Sequence, residues 1–384
     1  MGPLQGIKVI ELAGIGPAPF CGMMLADMGA EVILVERKST NPNAAQISTD
    51  TKYEIYKRGK ESIAIDLKSP DGIELVLKLI DSADVLIEGF RPGVTERLGL
   101  GPEVCLERNP GLVYGRMTGW GQDGPLAQAA GHDPNYVAIS GAMFHLGAAA
   151  TPPLPPLTLL GDIGGGAMML AWGIACALIH SRASGKGQVV DAAITDGVAY
   201  MSTLLRCFHS AGDIIDERGQ NWIDGAAHWA ATYECADGDY ITICSLEPQF
   251  YRELLERLEL DGAPEFSGNS QWDRSRWRQC QAIFRDIFRS KTRDEWCQLL
   301  EGTDVCFAPV LNFSEAVRHP HNVARGVFLD CDGVTQPAPA PRLAATPASA
   351  GSPANTGEHT ESILVSLGLE KQAILSFREQ GIVN

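Results

Sequence analysis

The chain has 384 residues, which is long enough to form two domains. Hydrophobic residues make up 45% of it and charged residues 20%, as is typical of soluble proteins. A formal net charge of -16 argues against a nucleic-acid binder and against adhesion to anionic membranes, although a local basic patch could still hold a small anionic ligand.

The N-terminal stretch has the pattern of a strand–helix–strand unit. Residues 8–12 and 31–36 are apolar runs that predict buried parallel strands, and residues 20–28 predict the helix between them. The turn 14–17 carries two of the three glycines of a dinucleotide-binding fingerprint, but Pro19 takes the third position. The turn alone is therefore weak evidence for a nucleotide.

Further strands are predicted at 62–67, 85–90, 113–121 and 189–193, which extends the parallel sheet. Basic residues follow several of the strand ends, where ligands bind in open α/β sheets. Their recurrence in an acidic chain favours an anion site over ordinary solvated charge. The candidates for this site are Arg37, Arg58, Lys60 and Arg91.

Two proton-transfer groups flank a loop-rich, proline-rich stretch in the middle of the chain. His132 stands in the run 131–136, and Asp162 precedes a glycine-rich apolar run. Imidazole and carboxylate are common catalytic acids and bases, but His132 could belong to a structural pair and Asp162 could be a helix N-cap. The apolar run 163–179 is at the lower length limit of a membrane span, and we expect it to be a buried helix.

A second, smaller domain is predicted after the sheet. Residues 201–224 have a loose composition typical of a linker, and 225–325 predict an α+β domain in which 232–243 forms two strands around an Asp-Gly turn. Residues 326–357 predict a second linker. The large domain would then comprise 1–200, with 330–384 returning to it.

The cysteines and the two ends of the sequence indicate the cellular compartment. Ten cysteines without a Cys-x-x-Cys spacing lie in apolar segments such as 175–177 and 243–245, which predicts buried free thiols and no metal site. Residues 1–6 lack the pattern of a signal peptide, and 381–384 do not end in a peroxisomal tripeptide. We therefore expect a cytoplasmic protein.

Taken together, the motifs resemble those of the family III CoA-transferases over nearly the whole chain. They are Leu4-Gln5-Gly6-Ile7-Lys8-Val9-Ile10-Glu11-Leu12-Ala13, Phe90-Arg91-Pro92-Gly93-Val94, Gly161-Asp162, Gly185-Lys186-Gly187-Gln188-Val189-Val190-Asp191 and Gly357-Glu358-His359-Thr360. The resemblance implies an α/β fold, with a large Rossmann-like domain containing a parallel sheet and a smaller α+β domain. It also implies an interlocked homodimer whose active site is shared between the chains.

Two segments, 131–136 and 243–251, resemble the α-methylacyl-CoA racemase branch of this family. The resemblance implies that His132, Asp162 and Glu247 are the acid and base residues. It further implies that the substrate is an acyl-CoA whose phosphates meet Arg37, Arg58, Lys60 and Arg91. Coenzyme A would be part of that substrate, and no further cofactor or metal is expected.

Alternatives remain within the family. Transferases use an Asp at the position of Asp162 as a nucleophile, so a CoA-transferase is one alternative, although it leaves His132 and Glu247 unexplained. Racemases of this branch usually carry a Tyr-Tyr-Asp run where this chain has Trp229-Ala230-Ala231. This departure keeps a non-catalytic acyl-CoA-binding relative open as a third alternative, and it predicts a roomier, less polar acyl pocket.

Overall fold

The computed structural model describes residues 2–37 and 50–384. Its strands are β1 (Lys8–Leu12), β2 (Glu31–Glu36), β3 (Lys60–Ala64), β4 (Val85–Glu88), β5 (Val113–Thr118), β6 (Gln188–Ala193), β7 (Ala230–Glu234), β8 (Tyr240–Cys244), β9 (Phe307–Val310), β10 (Phe328–Cys331) and β11 (Val334–Pro337). Its α-helices are α1 (Pro17–Asp27), α2 (Pro70–Ile80), α3 (Val94–Leu98), α4 (Pro102–Arg108), α5 (Asp133–Ser140), α6 (Met169–Ser184), α7 (Ile194–Met201), α8 (Thr203–Ala211), α9 (Pro248–Arg257), α10 (Arg274–Phe288), α11 (Arg293–Leu300), α12 (Phe313–Ala316), α13 (Pro320–Arg325), α14 (Thr360–Ser366) and α15 (Lys371–Glu379). A π-helical segment, Leu159–Met168, runs directly into α6.

The larger of two compact units is built on the predicted parallel sheet. Its six strands lie in the order β3-β2-β1-β4-β5-β6, and every neighbouring pair is parallel. Strand β1 is buried on both faces, and Ile10, paired with Ile33 on one side and Leu86 on the other, is completely buried. The strand order reverses between β1 and β4, which is where ligands bind in sheets of this type.

The C-terminal part of the chain, 326–384, belongs to the same unit. Ser62 in β3 and His359 exchange two hydrogen bonds: the Ser62 N–H donates to His359 Nδ1 at 3.2 Å, and the His359 N–H donates to the Ser62 carbonyl at 2.9 Å. Beyond the strand, Ile65 forms an antiparallel bridge with Val383. The terminal helices α14 and α15 thus pack beside the edge strand of the sheet, with Ile363 and Ile374 in its core.

The smaller unit is an α+β structure, as predicted. Strands β7, β8 and β9 form an antiparallel sheet with β8 in the middle. Alternate residues of β7, Ala231 and Tyr233, face a core that contains Phe284 and Phe288 of α10. Residues on the other face are partly or fully exposed, and this open face includes Ala230, Thr232, Thr242 and Cys244.

The boundaries of the units differ from the predicted ones in three places. The larger unit comprises 1–141, 156–201 and 326–384, and the smaller comprises 142–155 and 202–325. The predicted linker 201–224 therefore belongs almost entirely to the smaller unit, which also contains 142–155. The predicted linker 326–357 belongs to the larger unit and begins with the hairpin of β10 and β11.

The apolar run after Asp162 is helical, but the prediction that it is buried all round is wrong. Leu170 and Ile174 pack on β5, where the absence of a side chain at Gly115 makes room for them. Trp172 and Ile179, on the opposite face of α6, are 68% and 73% exposed. Within the described part of the chain, 159–184 is the stretch long and apolar enough to cross a membrane, and 44% of its apolar window is buried in the protein.

Candidate active site

A cleft of about 850 Å³ opens in the larger unit where the strand order reverses. Its walls are formed by the β1–α1 turn, by 89–92 after β4, by 117–120 at the end of β5, and by 127–132 before α5. His132 and Asp162, which stand 30 positions apart in the sequence, both line this cleft. The tertiary structure thus brings two of the three predicted acid/base residues together.

His132 is the N-cap residue of α5, and its imidazole is exposed. Its backbone is held by a reciprocal pair of bonds, because its N–H donates to Asn135 Oδ1 at 3.0 Å and its carbonyl accepts the Asn135 N–H at 2.9 Å. The ring is therefore carried by a fixed backbone while remaining accessible from the cleft. An accessible imidazole is a suitable group for proton transfer.

Asp162 lies inside the π-helical segment and is not the helix N-cap that its sequence context had suggested. Its backbone N–H donates to Oδ2 of Asp133 at 2.7 Å, and the Asp133 side chain is buried. Gly161 makes this contact feasible, because a Cβ there would come within 2.2 Å of the same oxygen. Asp133 therefore fixes the position of Asp162 from below the cleft.

The surroundings of Asp162 favour its protonated form. Burial raises the pKa of its carboxyl, the negative charge of Asp133 raises it further, and His132 opposes them. On the cleft side, the carboxylate adjoins the N-terminus of α1, where a Cβ on Gly16 would lie 3.2 Å from Asp162 Oδ2. A carboxyl of raised pKa beside an imidazole is the pairing expected of a general acid and a general base.

The backbone N–H groups of Asp162 and Ile163 are already engaged within the protein and are not free to act as donors in the cleft. The Asp162 N–H is already bonded to Asp133, and the Ile163 N–H donates to the Thr158 carbonyl at 3.2 Å. The N-terminal end of α1 provides positive potential at this edge of the cleft instead.

Glu247, the third predicted acid/base residue, belongs to the smaller unit. It is the N-cap residue of α9 and its side chain is exposed. Among the residues that the structure describes, no hydrogen bond or ion pair engages its carboxylate. It is therefore available to a partner.

The four predicted phosphate ligands separate into two pairs. Arg37 and Arg91 are exposed and line the cleft. Arg58 is 2% exposed and donates from Nη2 to Asp27 at 2.5 Å, while Lys60 is 3% exposed and donates from Nζ to Glu11 at 2.6 Å. The prediction that Arg58 and Lys60 bind an anion is corrected by their burial in structural ion pairs.

The segment Trp229-Ala230-Ala231, where this chain has other residues than the Tyr-Tyr-Asp run, does not lie on one face of the small sheet. Trp229 is fully buried, and its Nε1–H donates to the Gln271 carbonyl at 2.6 Å. Ala231 faces the same core, so that only Ala230 lies on the open face of the sheet. Any effect on a ligand from this departure thus comes from Ala230.

Two contributors to the site were not singled out from the sequence. Asp133 was noticed only as part of the run 131–136. Tyr136 donates its hydroxyl to the Gly131 carbonyl, and its ring packs edge-on against Trp120 with the centroids 4.6 Å apart. Tyr136 lies one helical turn from His132, and this spacing could have identified it from the sequence as a contributor to the site.

The donor set of the cleft fits proton transfer better than metal binding. Across 2–37 and 50–384, no group of three or more His, Cys, Asp or Glu side chains is arranged to hold a metal ion. The acidic groups at the cleft are instead Asp162 with Asp133 beneath it, and Glu36, whose Oε1 accepts from Lys57 at 2.8 Å.

Comparison with known proteins shows similarity along nearly the whole chain. The model of CoA-transferase family III matches residues 4–360. An α-methylacyl-CoA racemase of Mus musculus is 43% identical over 383 residues, covering 99% of this chain and 97% of the mouse protein, and its Homo sapiens counterpart is 41% identical over 385 residues, covering 99% and 97%. The crystal structure of a CAIB/BAIF family protein from Brucella suis superposes with a TM-score of 0.81 at 27% identity, covering 95% of this chain and 99% of that one.

Proposed function

The chain belongs to CoA-transferase family III, and from this premise we propose that it is a racemase of 2-methylacyl-CoA thioesters. The observation that carries the proposal is the presence of His132 and Asp162 in one cleft, in a chain 43% identical to a protein of that name. Racemisation needs a proton acceptor on one face of C2 and a proton donor on the other, and two titratable side chains of different type can supply both.

We propose the following proton transfers. For one enantiomer, the neutral imidazole of His132 takes the proton from C2, and the electrons move into the thioester carbonyl to form an enolate. The protonated carboxyl of Asp162 then delivers its proton to the opposite face of C2, which leaves imidazolium and carboxylate. For the other enantiomer the two groups exchange roles. The raised pKa of Asp162 favours the protonated form that the first direction requires.

The enolate oxygen needs a stabilising partner, since its charge develops in the transition state. The N-terminal end of α1 beside Asp162 is our candidate, and electrostatic stabilisation of this kind is worth roughly 3–4 kcal/mol. The anionic groups of coenzyme A would meet Arg37 and Arg91 at the rim. Coenzyme A is then part of the substrate, and both proton carriers are side chains, so the reaction calls for no further cofactor.

We further propose a homodimer in which Glu247 of one chain approaches His132 of the other. Two observations support it. The exposed apolar side chains of Trp172 and Ile179 on α6 leave a face that a second copy would cover. The carboxylate of Glu247 is exposed and could orient the imidazole and stabilise its cationic form.

We place the protein in the cytoplasm, where its acyl-CoA substrate would belong to lipid metabolism. Its ten cysteines, all of which are free thiols, support this proposal.

Hydrogen exchange at C2 tests the proposed reaction. We would incubate a single enantiomer of a 2-methylacyl-CoA with the protein in D₂O, without any acceptor acid, and follow deuterium at C2 and configuration together. Deuterium incorporation with loss of configuration is the expected result. Turnover only after an acceptor acid is added would replace the proposal by a CoA-transferase with Asp162 as nucleophile, and binding without either reaction would indicate a non-catalytic acyl-CoA-binding protein.

A further inference from the structure

Two cysteines lie opposite each other at the end of the small sheet. Ala230 in β7 pairs with Cys244 in β8, and the register of β8 with β9, in which Ile243 pairs with Phe307, places Cys306 across from Cys244. The Cys244 N–H donates to the Cys306 carbonyl at 3.0 Å, so the two backbones are adjacent, although Cys306 precedes β9 and has a left-handed backbone with φ 55°. Both cysteines are exposed.

The spacing of the two residues is suited to a covalent bond between the sulfurs. Residues joined by backbone hydrogen bonds across antiparallel strands have Cα atoms roughly 5.5 Å apart, and disulfides span Cα separations of about 4.4–6.8 Å. A second contact holds the strands together at this point, since Ser245 Oγ donates to the Val305 carbonyl at 2.8 Å. The two cysteines are thus held as neighbours by the backbone whether or not their thiols are bonded.

Access to the thiols comes from the small residue beside them. Ala230 flanks Cys244 on the open face, and a methyl group leaves the Cys244 thiol unshielded on that side. The exposed Cys244 and Cys306 differ in this respect from Cys21 and Cys105, which are completely buried in the larger unit. Redox-sensitive cysteines typically combine a low pKa, exposure and a neighbouring resolving thiol, and this pair has the last two features.

We propose that Cys244 and Cys306 form an oxidation site, at which a low-molecular-weight disulfide of the glutathione type converts the two thiols into one intramolecular disulfide. The Cys244 thiolate attacks one sulfur of the small disulfide, forming a mixed disulfide and releasing one small thiol. The Cys306 thiolate then attacks the Cys244 sulfur and releases the second small thiol. Two protein thiols are oxidised, one small disulfide is reduced to two thiols, and two protons leave the protein thiols and are taken up by the small ones.

The local charge sets the conditions for this exchange. Burial and then the Glu247 carboxylate raise the pKa of the Cys244 thiol, and the same two causes come first in raising the pKa of Cys306. Thiolate is therefore scarce at neutral pH, and the reduced form should persist unless the disulfide concentration is high. Mildly alkaline conditions suit the experiment for the same reason.

Peptide mapping tests the bond itself. The reduced protein would be treated with oxidised glutathione at pH 8.5, quenched with an alkylating agent and digested without reductant. We expect a linked peptide pair containing Cys244 and Cys306, absent from Cys244→Ser and Cys306→Ser and unchanged in Cys207→Ser, which removes another exposed cysteine of the same unit. Recovery of both cysteines from the wild type as separate alkylated or glutathionylated peptides would overturn the proposal, provided that circular dichroism shows all variants folded.

The effect on activity rests on the proposed function, because it assumes that Glu247 serves the reaction. Glu247 follows Cys244 by three residues, so the disulfide would restrain the segment that carries its carboxylate. We expect the oxidised wild type to lose at least tenfold in C2 exchange and to recover with dithiothreitol, while Cys306→Ser stays active under oxidant. A linked peptide without loss of exchange would overturn this coupling alone, whereas a reduced protein without any exchange would instead count against the racemase proposal and leave the mapping result valid.

Discussion

Oδ2 of Asp133 accepts the backbone N–H of Asp162 at 2.7 Å, which brings two carboxylates from separate parts of the chain to one side of the cleft. Burial raises the pKa of Asp162, and the charge of Asp133 raises it further. Oδ1 of Asp133 is buried and has no hydrogen-bond partner among the described residues, so this negative charge is weakly screened. We therefore expect Asp133 to act on the proposed reaction through Asp162, without touching the substrate.

Replacing Asp133 with Asn should shift the pH profile. Asn keeps an oxygen that accepts the Asp162 N–H but removes the charge, so the pKa of Asp162 should fall towards its ordinary value. For the enantiomer that His132 deprotonates, Asp162 must be protonated, and kcat/KM should therefore decline at lower pH than in the wild type. Asp133→Ala, which also removes the acceptor, separates the two effects, and an Asn variant whose alkaline limb stays in place would refute the electrostatic role.

Removing either proton carrier should nearly abolish exchange while leaving coenzyme A binding largely intact. General acid or base catalysis contributes about 10²–10⁴-fold, so His132→Ala and Asp162→Ala should each retain at most about one hundredth of kcat. The check is C2 exchange in D₂O beside calorimetric binding of the acyl-CoA. More than about a tenth of the wild-type rate in either variant would exclude such a role for that residue.

Substitution of Arg58 should lower the stability of the fold, whereas substitution of Arg91 should weaken acyl-CoA binding. Arg58→Met breaks a buried ion pair with Asp27 and should destabilise the fold by about 3–5 kcal/mol, seen as a lower urea midpoint. Arg91→Met, at an exposed cleft position, should leave the midpoint nearly unchanged and raise KM for the acyl-CoA severalfold. The opposite assignment, with Arg58 altering KM in a stable protein, would restore Arg58 as a phosphate ligand.

Substrate size should depend on Ala230, if the open face of the small sheet borders the acyl chain. We expect the wild type to prefer a bulky or polycyclic 2-methylacyl-CoA to a short one. Ala230→Tyr should lower that preference roughly tenfold, because a few steric contacts are worth about 1–3 kcal/mol. Thr232→Tyr, on the same face, is the matched control. An equal or reversed preference in the wild type would contradict the idea.

Complementation between damaged chains tests the shared site. A purified heterodimer of one His132→Ala chain and one Glu247→Ala chain should regain activity, because one site carries both changes and the other is intact. A heterodimer of His132→Ala and Asp162→Ala chains should stay inactive, since each site takes both residues from one chain. Differently tagged, co-expressed chains are needed to isolate these species. If the first heterodimer is as inactive as its parents, His132 and Glu247 act within one chain.

Much of the scaffold could be predicted from local sequence. Buried parallel strands are mostly apolar on both faces, so runs such as 8–12 and 31–36 can be recognised in the sequence. Both were predicted with the bounds that the structure has. The two strands within 232–243 were equally visible from their alternation around a turn. The cleft residues His132 and Asp162 were found because their residue types and motifs are informative without knowledge of their neighbours.

What the tertiary structure decided was the partner of each polar group and the face of each residue. Arg58 has the same sequence features as an anion-binding arginine, but its partners Asp27 and Gln336 lie 31 and 278 positions away. Cys244, predicted to be buried from its apolar neighbours, is exposed because strand residues alternate between faces. A side chain's charge, burial and reactivity depend on groups distant in the sequence, and their distances are set only when the chain folds.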